Sequence, residues 1–426
     1  YPKAAERLFN LPAGERVWKI LHSILQMLAV GLAAWLGGAG ILLWHFGILT
    51  PLSTLWTVLV FPVVFGILLI GFLKLLLAPL MPTLAAVCGI WLEFLSRILT
   101  RFVTALADLD LLSFQIGQTA FWIILLYYGW LFFVRFYPRF GKFKTTLFVL
   151  GAVSILFSLW LPRIRRTASN DLTVTCLSVG HGLAVVAELP ASRVLLFDAG
   201  SISVKNPGGR VVTPFLQHRG IETIDLAILS HGDLDHYNGL PEILSGIPIK
   251  AIFANSGFLQ RSEISFGPKR MKTLFRERAG NFATETLPPL SSPARLRSLW
   301  PDAQTAADPS VSDNDKSEVL LIEHAGKTIL LCGDIEEYAQ EKILALYPDL
   351  NVDVLLLPHH GSRLNILPGF IRRLDPSIRV VSCSANRLAN TADLDDNGTN
   401  WYTPLHGAVR VTIKADGTLD AAGFLD

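Results

Sequence analysis

The 426 residues leave room for two or three domains, and a net formal charge of +2 conceals an uneven distribution. The first 166 residues carry 14 basic and 5 acidic side chains and the remaining 260 carry 23 and 30, so a half at +9 precedes a half at −7. That excludes an acidic half holding nucleic acid by charge alone; a metal or a local basic patch would have to contribute.

No Asp, Glu, Lys or Arg occurs between Lys19 and Lys74, far more apolar chain than the ~20 residues that one membrane helix needs. The pattern predicts an all-α polytopic region over residues 1–166. It has about five helices, near 17–47, 52–80, 83–106, 113–136 and 145–162, with Pro51 and Pro82 at the first boundaries. Pro62 and Gly66 predict a kink or break in the second helix. Glu93, Arg97 and Arg101 follow one helical face, as in an interfacial helix or a polar pore lining. His22 and His45, among apolar neighbours, are read as packing or interfacial residues. The chain begins at Tyr1 without a signal-peptide layout, and the expectation is a fragment of a larger helical bundle. If five helices alternate, Lys3, Arg7, Arg16, Lys19, Arg135, Arg139, Lys142 and Lys144 fall on one side. The positive-inside rule makes that side cytoplasmic and the C-terminal half extracytoplasmic, with "RIRR" arguing the other way.

After "RIRRTASN" the texture changes, and residues 167–426 read as an α/β domain. "LTVTCLSV", "LAVVAEL" and "RVLLF" are three strands in close succession, and "TIDLAILS" is a fourth. "EVLLIE" and "TILLC" form a hairpin, "EEYAQEKILAL" a helix and "VDVLLLP" a buried strand. "IRVVSCS" and "GAVRVTIKADGTLDAAGF" supply the last strands. Continuous apolar strands imply sheets covered on both faces. Cys88, Cys176, Cys332 and Cys383 lack any CxxC pairing and read as small buried hydrophobes.

The chemistry concentrates at strand ends. "HGDLDH" follows a strand ending at Ser230, and a loop there can turn His231 and Asp233 to one metal ion and Asp235 and His236 to a second. Imidazole and carboxylate suit first-row divalent metals, and paired ions ~3.5–4 Å apart suit phosphate chemistry. Asp198 in "LLFDAG", Asp334 in "LLCGDIEE", and His359 and His360 in "LLLPHHGS" end three further strands. Each alone has a plain reading as a turn or helix cap, and one of the two adjacent histidines must point away. Four such ends together fit a site along one rim of a sheet sandwich.

These motifs carry a resemblance. Residues 172–426 resemble the metallo-β-lactamase superfamily, an αββα sandwich whose "HxHxDH" signature appears here with Asp233 at the second histidine's place. "SVGHG", "FDAG", "HGDLDH", "DNDKS", "GDIE" and "PHHGS" together look like the ComEC family of competence proteins, and "HFGILTPLSTLWTVLVFPVVFGILL" resembles that family's membrane stretch. The resemblance implies passage of single-stranded DNA through the inner membrane, with the soluble domain degrading the strand left outside. It implies His231, Asp233, Asp235, His236 and Asp334 as ligands, Asp235, His236 and Asp334 being catalytic, with His359 or His360 beside the metals. Asn314 and Ser317 in "DNDKS" would contact the site or substrate, and Asp198 and His181 would support it. His181 stands where the family usually has Gln, Ser178 and Leu183 replace two acidic residues, and the later "GHP" histidine is missing.

The stretch "RSEISFGPKRMKTLFRER", with Lys269, Arg270 and Lys272, reads as a solvated face or a phosphate track, with Phe266 or Phe275 for base stacking. The leading expectation is a multi-pass DNA-uptake protein with a fused metal-dependent phosphodiesterase. Its partners would be single-stranded DNA, membrane lipid, the uptake machinery and a second copy of the chain. The alternatives are a transporter whose lactamase-like domain binds DNA without cutting, and a membrane-anchored hydrolase of a small substrate. Because Asp233 hardens one ligand shell, two ions are expected with Mn²⁺ favoured over Zn²⁺.

Overall fold

The structure, a computed structural model, describes residues 13–109, 114–117, 119–136, part of 145–166, and residues 169–258, 279–394 and 398–425. It divides into two compact units, Tyr1–Leu159 and Trp160–Asp426.

The first unit is helical: α1 (Ala13–Phe46), α2 (Ser53–Leu77), α3 (Pro82–Leu109) and α4 (Phe121–Phe136). Among the described residues, Val17–Phe46, Ser53–Leu77 and Pro82–Leu106 are long and apolar enough to cross a membrane. α4 has 16 residues, about 24 Å at the α-helical rise, short of a ~30 Å hydrocarbon core. The helix expected over 113–136 therefore starts later. The chain before it forms β2 (Phe114–Gln115), antiparallel to β1 (Ile48–Leu49). Gly47 (φ +64°) permits the close approach, since a Cβ there would lie 2.8 Å from the Gly117 carbonyl oxygen. The ladder satisfies backbone groups that apolar surroundings would otherwise leave bare. α2 runs unbroken through Pro62. The hydroxyls of Tyr127 and Tyr128 donate to the Leu36 and Gly37 carbonyls, tying α4 to α1. Of the expected fifth helix, 149–154 is helical and much of the rest lies outside the described residues.

The second unit opens with β3 (Leu172–Cys176), β4 (Ala184–Leu189), β5 (Arg193–Ala199), β6 (Leu226–Leu229), β7 (Ile249–Ala254) and β8 (Ala279–Ala283), each paired with the next. A second sheet follows from β9 (Arg295–Trp300), β10 (Val319–His324), β11 (Lys327–Leu331), β12 (Val354–Leu356), β13 (Ile378–Val381) and β14 (Thr399–Tyr402). Finally β15 (Val409–Ile413) and β16 (Leu419–Gly423) return to the first sheet outside β3. The strands expected from the sequence are present.

The inner strands of each sheet are buried on both faces, which is why β4, β6 and β12 are almost continuously apolar, whereas the edge strands β9, β14 and β16 are partly exposed and carry polar residues. Leu195 and Phe197 of β5 meet Ile329 and Leu331 of β11 and Val354 and Leu356 of β12 in a core between the sheets. The alternate residues Val194 and Leu196 face outward, under α5 (Thr213–His218), α6 (Leu234–Tyr237) and α7 (Leu240–Gly246). Leu330 and Leu355 likewise face α8 (Glu337–Leu346) and α9 (Pro368–Leu374) through Ile343 and Phe370. The layers are αββα. Each buried Leu, Ile or Phe contributes about 1.5–3 kcal/mol.

β5 to β8 are parallel, as are β11 to β14. Their C-terminal ends share one rim, where Glu318 N donates to Ser230 O (2.9 Å) and Ser382 Oγ to Gly182 O (2.9 Å).

Candidate metal centre

The rim is built from the ends of β5, β6, β11 and β12. Asp198, at the end of β5, is fully buried with φ +56°. Its carboxylate accepts from Ser230 N (2.7 Å), Ser230 Oγ (2.6 Å) and His236 Nδ1 (2.8 Å). Ser230 Oγ, having given its proton to Asp198, accepts from His231 Nδ1 at 3.1 Å. His360 Nδ1 donates to the Ser382 carbonyl at 3.2 Å. Three histidines thus spend Nδ1–H on the protein and leave Nε2 bare.

Those bare nitrogens converge. His236 Nε2 lies 3.2 Å from Asp334 Oδ1, and His360 Nε2 lies 3.3 Å from Asp334 Oδ2 and 3.4 Å from Asp235 Oδ2. Two clusters result: His231, His236 and Asp334, and His181, Asp235 and His360, with all ligand atoms of each within 4.8 Å of one another. Asp334 lies between them, one oxygen toward each. Asp233 Oδ2 joins the first at 3.6 Å from His231 Nε2, its side chain 35% exposed at the mouth.

The residues of the two clusters fit divalent metal. Nε2 of His231, His236 and His360 and Oδ1 of Asp334 are buried without a hydrogen-bond partner, which costs free energy unless a cation or proton lies between them. Histidines oriented through Nδ1–H by carboxylate, hydroxyl or carbonyl are the usual arrangement behind a metal. Burial opposes a charge on His236, but Asp334 and Asp198 outweigh it and hold its pKa well above the ordinary histidine range. Burial likewise opposes His360, which Asp334 and Asp235 raise to about 9. Burial resists ionisation of Asp235 and Asp334, yet the neighbouring histidines hold both carboxyls below the usual carboxylate range. Metal and proton compete for these positions. His181 differs: burial, then His360 beside it, lowers it to about 4 and leaves a neutral imidazole at higher pH.

The expected residues are not all where the sequence suggested. His236 clusters with His231 and Asp334, not with Asp235, because the two adjacent residues lie on the helical turn of α6 and face different ways. His359 is a correction: its Nδ1 lies 3.2 Å from Glu336 Oε1, and His360 alone of the pair joins the centre. The φ values of +49° and +55° at His359 and His360 turn the two rings apart. Asn314 donates to Glu336 (3.0 Å), and Ser317 Oγ accepts from Asp334 N (3.1 Å), fixing that residue's backbone. Lys269, Arg270 and Lys272, with Phe266 and Phe275, lie outside the described residues. The residue underrated from sequence is His181, expected as a support but found 3.6 Å from Asp235 Oδ2 by its Nε2. Its signal was an imidazole in a Gly-His-Gly turn.

The family model described as Competence protein matches residues 1–141, and that of the Metallo-beta-lactamase superfamily matches residues 177–255. The chain is 26% identical over 388 residues to ComE operon protein 3 of Bacillus subtilis, covering 86% of this chain and 48% of that protein. It is 26% identical over 279 residues to competence protein ComA of Neisseria gonorrhoeae, covering 62% and 36%. The chain therefore spans about half the length, or less, of these curated relatives. Among solved structures it is similar to a diphosphatase of the PhnP family, at 14% identity and a TM-score of 0.34, over 54% of this chain and 94% of that one. Residues 1–141 thus match the competence protein family model and residues 177–255 that of the metallo-beta-lactamase superfamily, the ComEC-type pairing that the motifs resemble.

Proposed function

We propose that the chain is part of an inner-membrane DNA-uptake protein whose helical unit contributes to a channel for single-stranded DNA. Its second unit is a metal-dependent phosphodiesterase that degrades the strand not imported. The observation that carries the enzymatic reading is the pair of ligand clusters on either side of Asp334. The competence-family match over residues 1–141 supports the membrane role.

His231, Asp233, His236 and Asp334 would hold one ion, and His181, Asp235, His360 and Asp334 the other. Two divalent ions bound there supply positive charge for phosphate oxygens and lower the pKa of water. The chain's own part is orientation. Asp198 and Ser230 keep His236 and His231 in the tautomer with a bare Nε2, and Ser317 anchors Asp334. His181 gives the second group a third side chain, so that group does not depend on a later histidine. Carboxylates at Asp233, Asp235 and Asp334 make both shells hard, which favours Mn²⁺.

The test is cleavage of labelled single-stranded DNA by the full chain in detergent. Activity is expected to be highest with Mn²⁺ and to vanish on chelation. Asp235→Asn should lower the rate by about 100-fold or more, with helix and strand content unchanged by circular dichroism. If no divalent metal restores cutting to the chelated wild type, the phosphodiesterase reading is wrong.

A further inference from the structure

A cleft of about 410 Å³ opens beside His360, lined by side chains that include His359, Ser362, Arg363, Arg387 and Asn390. Its walls are the turn after β12 and the segment Ala385–Asn390 after β13. Backbone bonds join them: Arg363 N donates to Asn390 O (3.0 Å) and Ala392 N to Gly361 O (2.8 Å). The cleft is therefore a formed feature of the fold, and it begins at a member of the second ligand cluster.

Its charge is opposite to that of the domain around it. Residues 167–426 carry a net −7, yet two guanidiniums and no carboxylate line this cleft. Arg363 is held by Asp393 (2.8 Å), but side-chain exposures of 63% and 82% make that pair weak and easily exchanged for another anion. Leu364, 95% exposed on the rim, offers an apolar surface to water. The volume exceeds what one phosphate fills and lies within the ~300–1,000 Å³ typical of small-ligand sites. Guanidiniums pair with phosphate in a fixed bidentate geometry that lysine does not reproduce.

We propose that this cleft binds the nucleotide adjoining the phosphodiester at the metal centre, with Arg363 and Arg387 on its phosphate and Leu364 against its sugar or base. The proposal rests on the phosphodiesterase reading and adds where the strand lies: single-stranded nucleic acid leaves the metal centre past His360, over the two arginines.

The experiment uses the full chain in detergent with Arg363→Gln, Arg387→Gln and the double variant. Binding of a fluorescein-labelled single-stranded oligonucleotide is measured by anisotropy in chelator across a salt series. The double variant is expected to bind at least about ten-fold more weakly and to lose about 1.4 from the salt slope, roughly 0.7 per phosphate contact. In turnover with Mn²⁺, KM for the oligonucleotide should rise while hydrolysis of bis(4-nitrophenyl) phosphate, which has no neighbouring nucleotide, keeps its rate. Unchanged affinity and slope would overturn the subsite whether or not the chain cuts DNA. Equal losses on both substrates would also overturn it, since the arginines would then act on the metal centre itself. If the wild type cleaves nothing with any metal while the variants still lose affinity and slope, the phosphodiesterase reading fails and the cleft stands as a strand-binding site.

Discussion

Glu318 lies one residue beyond Ser317 and donates its backbone N–H to Ser230 on the opposite sheet, so its carboxyl is carried into the rim with no route to water. Burial pushes that carboxyl up to about 8, against hydrogen bonds from Ser298 and Asn255. The folded state then keeps a proton that the unfolded chain releases near pH 4. Between about pH 4 and about pH 8 the unfolded state binds fewer protons, so stability attributable to Glu318 is full below that window and is lost as pH rises through it. Glu318→Gln, which keeps the shape and cannot ionise, is expected to flatten this dependence. Thermal unfolding of the full chain at about pH 5 and about pH 8.5 checks it. A wild type and variant whose difference in midpoint is the same at both pH values would contradict the assignment. The metal-centre carboxylates behave in the opposite sense, because their pKa values are depressed, and they bear on the acid side.

At the scale of elements, the turn between β3 and β4 decides whether the second cluster exists. His181 N accepts no freedom: it donates to Ser203 Oγ (3.0 Å), and the His181 carbonyl accepts from Ile202 N (2.9 Å). Leu183 N donates to Asp235 O (3.1 Å), so this turn and the α6 turn are locked together. Gly182 makes that possible, with φ +147° and a virtual Cβ only 2.3 Å from Gly200 O. Gly182→Ala is expected to destabilise the fold by roughly 3 kcal/mol. It should also move His181 from Asp235 and weaken binding of one ion of two. Calorimetric titration of the variant with Mn²⁺ reads this as a change in the second binding step alone. Loss of neither stability nor that step would show that the turn tolerates a side chain.

On the scale of the whole molecule, the described helices offer three segments able to span a bilayer, and the charge distribution of the sequence argues for which side the second unit occupies. Ser310 is exposed and Cys176, Cys332 and Cys383 are buried, so Ser310→Cys is a suitable reporter once the half-buried Cys88 is replaced by Ser. An impermeant maleimide is expected to label it in intact spheroplasts, as an extracytoplasmic second unit requires. Protection until lysis would reverse the topology. Much of this architecture was legible in the chain. Charge-free length announced the membrane helices, because a bilayer core tolerates little else, and continuous apolar strands announced sheets buried on both faces. "HGDLDH", Asp334 and "PHHGS" pointed to a candidate metal centre, because carboxylate and imidazole at strand ends have few other uses in such number. The pairing of those ligands was not legible. His181 lies 54 residues before Asp235 and 179 before His360 along the chain, and only the closing of two sheets over one core brings the three within 4.8 Å. Likewise the choice of His360 over His359 rests on two left-handed backbone torsions, and the α4 start at Phe121 on a two-residue ladder formed with a distant turn. Local composition determined which side chains could serve; long-range packing alone decided which of them meet.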